Sequence, residues 1–219
     1  MRIFFGLTTL VAAGVTVGAT PLAAQAGATR VGAATQRVTI LPLPADGRRG
    51  FWLGAGIGPG NGSLHCGICN DERDRGTAGY IRLGTTLNRK LLVGVEGGAW
   101  QREGEEGKRR LLSLTAGGWW YPNERHGYFV RFGAGLTRWR AWDGGEDAVT
   151  SAAIGLIAGV GYEVRLNPAL SIVPYVNALG TSSGALWLES RDDVSFERRR
   201  LPAGGHALLI QIGVGITRH

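Results

Sequence analysis

From Gly50 onward, apolar side chains recur at every second position in segments of roughly 9 to 11 residues, the length at which a tilted β-strand crosses a hydrocarbon layer. Eight segments are predicted: Gly50 to Gly60, Ala78 to Leu87, Leu91 to Gln101, Leu111 to Tyr121, Tyr128 to Arg138, Ala152 to Leu166, Ser171 to Leu179 and Ala207 to Thr217. The links alternate in length. Asn88-Arg89-Lys90, Pro122 to Gly127 and Asn167-Pro168 are short and carry turn formers, whereas those around Cys66, Glu105, Glu146 and Arg191 are longer and charged. An even strand number with short turns at one rim and long loops at the other predicts an all-β chain: an eight-stranded antiparallel up-and-down transmembrane β-barrel.

Alternation alone does not say which face looks inward, because a soluble ligand-binding barrel shows the same period. In the sixth segment Ile154, Leu156, Ala158, Val160, Tyr162 and Val164 share one side, and Ala153, Gly155, Ile157, Gly159, Gly161, Glu163 and Arg165 the other. The last segment repeats this, with Leu208, Ile210, Ile212, Val214 and Ile216 against Gln211, Gly213, Gly215 and Thr217. Glycine accompanies the long polar residues so regularly that their face reads as the crowded interior of a narrow barrel. The aliphatic face is then predicted to meet lipid. Two aromatic belts are expected, Trp52, Trp120, Tyr128 and Tyr162 at the short-turn rim and Trp100, Trp139, Trp142 and Trp187 at the long-loop rim.

The ends of the chain set the compartment. Met1-Arg2, an apolar run from Ile3 to Val17 and the small residues up to Ala26 have the three regions of a secretory signal, with cleavage expected after Ala26. Residues 27–49, rich in Ala, Gly, Thr and Pro, are expected to be a flexible periplasmic lead-in, leaving 50–219 as the barrel. After the signal no run is apolar enough for a spanning helix; Ala152 to Tyr162 is short and holds glycines that a helix tolerates poorly. The formal charge of +7 is spread among acids in turns and loops, and export argues against a nucleic-acid partner.

With these features in place, the chain resembles the small outer-membrane β-barrels that include the OmpA-type transmembrane domain and OmpX-type proteins. The resemblance covers Gly50 to the C-terminus and is carried by "GFWLGAGIG", "YIRLGTTL", "LLVGVEGG" and "YFVRFGAGL". It implies an outer-membrane location and handling by the barrel-insertion machinery. The chain ends Ile216-Thr217-Arg218-His219, whereas members of the family commonly end in an aromatic residue; with no peptidoglycan-binding domain following, cell-wall anchoring is not implied.

Candidate chemistry is sparse. Arg82 and Glu96 are predicted to face each other across the turn at Arg89 and to share the lumen with Arg131, Glu163 and Arg165. A structural charge network is favoured over an ion or proton gate, since eight strands leave an interior just filled by side chains. Cys66 and Cys69 in the first long loop are expected to form a local disulfide in an oxidising compartment, ahead of a metal site aided by His65 or His206. Asp71, Glu72 and Asp74 lack the spacing of a calcium loop and are read as solvated, and no metal or other cofactor is expected. Arg198-Arg199-Arg200 reads equally as a solvated surface run or as a contact to lipopolysaccharide phosphates, and the apolar wall is expected to meet outer-membrane lipid. His65, His126, His206 and His219 all fall in predicted loops, turns or the terminus, and none lies on a lipid-facing strand position near a serine, so no catalytic triad is predicted. A monomeric structural or surface-interaction barrel is the expected protein. A lipid-modifying barrel enzyme and a soluble periplasmic ligand-binding barrel are the alternatives.

Overall fold

A computed structural model describes residues 48–66, 73–104, 107–142, 147–191 and 196–219. They belong to the compact unit Thr39–His219; Met1–Val38, with the expected signal and most of the lead-in, lies outside the described residues. The described residues form strands β1 (Phe51–Cys66), β2 (Arg73–Asn88), β3 (Leu91–Gly104), β4 (Gly107–Trp120), β5 (Tyr128–Trp142), β6 (Ala148–Tyr162), β7 (Val164–Asn167), β8 (Leu170–Thr181), β9 (Gly184–Arg191) and β10 (Phe196–Arg218).

These ten segments make eight staves. β7 continues β6 past a break at Glu163, and β9 continues β8 past Ser182 and Ser183: β6 pairs with both β8 and β9, and β10 does the same on the other side. Every neighbour is antiparallel, and β1 pairs with β10 to close the ring, which removes free edges. The strands run further than the lipid-crossing spans predicted for them. β1 reaches Cys66 and β10 begins at Phe196, so much of the expected long-loop sequence is hairpin standing above the apolar band. Backbone pairing does not stop where the hydrophobic alternation does, which is why the pattern underestimates strand length.

The side chains follow the predicted orientation. Ile57, Ile81, Leu114, Leu136, Ile154, Leu156, Val160 and Ile212 are exposed on the outer wall, while Arg82, Glu96, Arg131 and Glu163 are buried. For a soluble barrel that arrangement is inverted; for a wall in lipid it places each group in its favoured medium. The interior admits long side chains where the wall carries glycine. A Cβ on Gly54 would lie 2.8 Å from Arg82 Nε, and one on Gly159 2.1 Å from Asn177 Oδ1.

The aromatic belts need correcting. Trp120, Tyr128 and Tyr162 do lie on the outer wall at the short-turn rim, but Trp52, Trp100 and Trp139 are 3%, 0% and 3% exposed. Strand parity decides this: Trp100 shares its face with Glu96, Trp139 shares its face with Arg131, and Trp52 alternates with exposed Phe51 and Leu53. The three tryptophans fill the barrel instead of ringing it.

Candidate functional site

The lumen is stacked in layers along the barrel. Nearest the long hairpins, Asp74 on β2 is gripped by Arg102 on β3 and Arg109 on β4, and is 4% exposed; the expectation of a solvated acidic loop therefore fails for Asp74. Asp71 and Glu72 lie outside the described residues. β2 begins at Arg73 and carries Asp74 into the barrel mouth, where two guanidinium groups offset the loss of water. Below it, Trp100 and Trp139 stack with centroids 5.4 Å apart among Leu64, Leu111, Ile157, Leu179 and Leu209. Trp100 Nε1 donates to Gly60 O at 3.0 Å, so this apolar layer satisfies one of its polar atoms internally.

The middle layer holds three of the expected charges. Arg82 and Glu96 are in register on β2 and β3, as the turn predicts, yet the close ion pair is made elsewhere. Glu96 Oε1 accepts from Arg131 Nη2 at 2.8 Å, from a strand two removed, and the two side chains are 3% and 2% exposed. Arg82 donates to Thr217 Oγ1 at 3.0 Å and lies against ring faces, 4.9 Å from the Tyr80 centroid and 5.5 Å from that of Trp119. Cation–π attraction thus carries part of what Glu96 was expected to supply. With its amide oriented to face the donors, Asn177 accepts from Gln211 Nε2 at 3.0 Å and Arg131 Nη1 at 3.3 Å. A void of about 10 Å³ between Glu96, Asn177 and Gln211 has room for about one water.

Beneath it, Trp52 and Trp119 meet edge to face at 4.7 Å with Leu92, Phe129, Val173 and Tyr121, forming a second apolar layer. Glu163 belongs to the short-turn mouth and not to the central network. Its carboxylate takes Arg48 Nε at 2.9 Å and, on the other oxygen, the His219 ring, with Arg48 3.6 Å from the Tyr121 centroid. Burial pushes the Tyr121 phenol well above its ordinary pKa, and the negative charge of Glu163 adds to this. Arg165, the fifth expected member, is half-buried with Nε and Nη2 unpartnered. The lead-in is also modified at its end, since Arg48 is 3% exposed and packed into this mouth. Arg48 and His219 lie outside every alternating segment, so the pattern gave no signal for them.

Cys66 is disulfide-bonded, and the other cysteine, Cys69, lies outside the described residues. His65 and His206 are directly opposed on β1 and β10 with rings stacked at 5.1 Å. They stand in strands, contrary to the expected loops, because β1 and β10 extend beyond the lipid-crossing span. The extension also sets the Ser63 hydroxyl 3.3 Å from His65 Nε2, a serine–histidine contact the sequence reading did not foresee.

The closed ring of antiparallel strands matches solved structures. The chain superposes on the Neisserial surface protein A with a TM-score of 0.52 at 15% identity, covering 77% of this chain and 96% of that one. It has the fold of the small outer-membrane β-barrels. A major outer membrane protein of Thermus thermophilus gives a TM-score of 0.51 at 12% identity, over 76% of this chain and 98% of that one. OprG of Pseudomonas aeruginosa gives 0.50 at 11%, over 78% and 98%. No protein-family model matches the sequence, and no curated protein matches it. An outer-membrane barrel is therefore the architecture within which any function of this chain operates.

Proposed function

We infer that this protein is a closed, monomeric outer-membrane barrel whose work is done by its wall and its projecting hairpins, not by conduction through its centre. The observation that carries this reading is the layered lumen: two aromatic-aliphatic plugs separated by the Glu96–Arg131–Arg82 layer and capped by ion clusters around Asp74 and Glu163. Conduction would require each layer to part, and the apolar ones offer an ion no substitute for its hydration shell. The hairpins beyond the apolar band are then the parts available to external partners. Planar-bilayer recording of the folded full chain tests this. Discrete channel openings in most insertions contradict it, and a silent membrane holding folded protein supports it.

A second reading, an acyl-hydrolysing barrel, is favoured by the Ser63–His65 contact, in which a base lies beside a hydroxyl. Against it, Ser63 is 3% exposed, which leaves substrate little access to the oxygen. Labelling by a serine-directed fluorophosphonate that is lost in Ser63→Ala separates the two readings.

A further inference from the structure

We propose that the outer wall carries a binding site for a phosphorylated, multiply acylated glycolipid of the outer leaflet, formed where the wall is broken beside β9. Two irregularities meet there. Ser182 and Ser183 interrupt the stave between β8 and β9, and the β9–β10 register shifts between Arg200 and Gly204. An open depression of about 690 Å³ lies against Leu114, Leu136, Ala152 and Ile154, and a second of about 490 Å³ runs on toward Arg200. They share Ser183, Gly184 and Ala185 as a common floor, giving one continuous groove along the wall.

The groove lies under a cluster of arginines. Arg138 lines it, and Arg110 and Arg140 stand one two-residue step, about 7 Å, nearer the long hairpins. Arg110 and Arg140 are direct cross-strand partners, exposed on the same outward face. Like charges placed opposite each other are unfavourable unless an anion lies between them. At the far side, Arg198 packs on Trp187 at 4.4 Å, with Arg200 outward beside it. Glu189 lies 3.6 Å from Arg138 and 3.8 Å from Arg198, and Glu103, one outward step beyond Arg110, is paired with Lys108 at 2.8 Å. Arg110, Arg138, Arg140, Arg198 and Arg200, standing over an apolar groove, fit anionic phosphates at head-group level with acyl chains below.

Position selects the lipid. Short turns of such barrels face the periplasm and longer hairpins the exterior, so this rim meets the outer leaflet and its phosphorylated saccharolipid. The inference extends beyond the closed-lumen reading and stands independently of it.

The test uses the full chain folded in detergent micelles, titrated with lipid A carrying both phosphates, with dephosphorylated lipid A and with phosphatidylglycerol, retention being read by native mass spectrometry. The phosphorylated lipid is expected to be retained roughly tenfold more tightly than either comparison lipid. The variant R110Q/R138Q/R140Q is expected to weaken it on the order of a hundredfold, at about fivefold per arginine. Ala152→Phe, which fills the groove, should weaken all three acylated lipids, while Arg89→Gln at the opposite rim leaves binding unchanged. Equal retention of the dephosphorylated form, equal retention of phosphatidylglycerol, or full retention by the folded triple variant each overturns the proposal. A dimer whose formation excludes lipid from this face overturns it as well. If the triple variant does not fold, as judged by heat-modifiable migration, the comparison of lipids on the unaltered chain decides.

Discussion

Glu96→Gln is the sharpest single perturbation of the lumen. In the native barrel Glu96 Oε1 lies 2.8 Å from Arg131 Nη2, with both side chains almost fully buried. Replacing the carboxylate with a neutral amide leaves the Arg131 guanidinium without a counter-charge in a closed interior, with Arg82 adding a second cation in the same layer. Removing one partner of a buried pair costs about 3–5 kcal/mol. The exposed Lys108–Glu103 pair has nearly the same separation, 2.8 Å, with side chains 52% and 62% exposed, and Glu103→Gln is expected to cost no more than about 1 kcal/mol. Equilibrium urea unfolding of the full chain in lipid bilayers measures both. Adding Arg131→Met to Glu96→Gln should then recover most of the loss, because an apolar chain needs no counter-charge. A cost for Glu96→Gln no larger than that for Glu103→Gln, or a double variant as unstable as the sum of its parts, refutes the reasoning.

Val160→Arg places a charge on the lipid face and should impair insertion by roughly 2 to 4 kcal/mol, read as the fraction reaching the heat-modifiable form. At the closing seam, a Cβ on Gly58 would lie 2.0 Å from Ile212 O, so Gly58→Ala should destabilise the barrel by about 1–3 kcal/mol in urea, whereas Gly97→Ala, opening onto free space, should be silent. Arg48→Met removes both the ion pair to Glu163 and the stacking on Tyr121; it should loosen the short-turn mouth, seen as faster hydrogen exchange of Glu163 N–H, which bonds to Gly127 O. Unchanged exchange there removes the clasp.

The orientation of the wall was legible because period-two alternation and glycine placement report the same face, as Gly159 beside Asn177 illustrates. The tryptophans were also legible in principle. Trp100 lies four residues from Glu96 on one strand, so parity required it to point inward, and nearness to a strand end was the weaker signal. The Glu96–Arg131 contact was not legible, because it joins β3 to β5 across β4 and depends on how side chains bend inside the lumen. Sequence alternation reveals neighbours on adjoining strands and says nothing about chords across a barrel. Asp74, His65 and His206 were misplaced for one common reason: the hairpins continue as paired backbone in water, where no lipid enforces an apolar face.

The central claim is that aliphatic side chains face lipid and polar ones face the barrel axis, and site-directed spin labelling along β6 tests it most directly. In a variant with both native cysteines replaced by serine and folded in bilayers, labels at Ile154, Leu156 and Val160 should be relaxed strongly by dissolved oxygen and weakly by a water-soluble nickel chelate. Labels at Ala153 and Ile157 should be shielded from both. Nickel relaxation at Ile154, Leu156 and Val160 as strong as in water, or oxygen access with no two-residue period, contradicts the account.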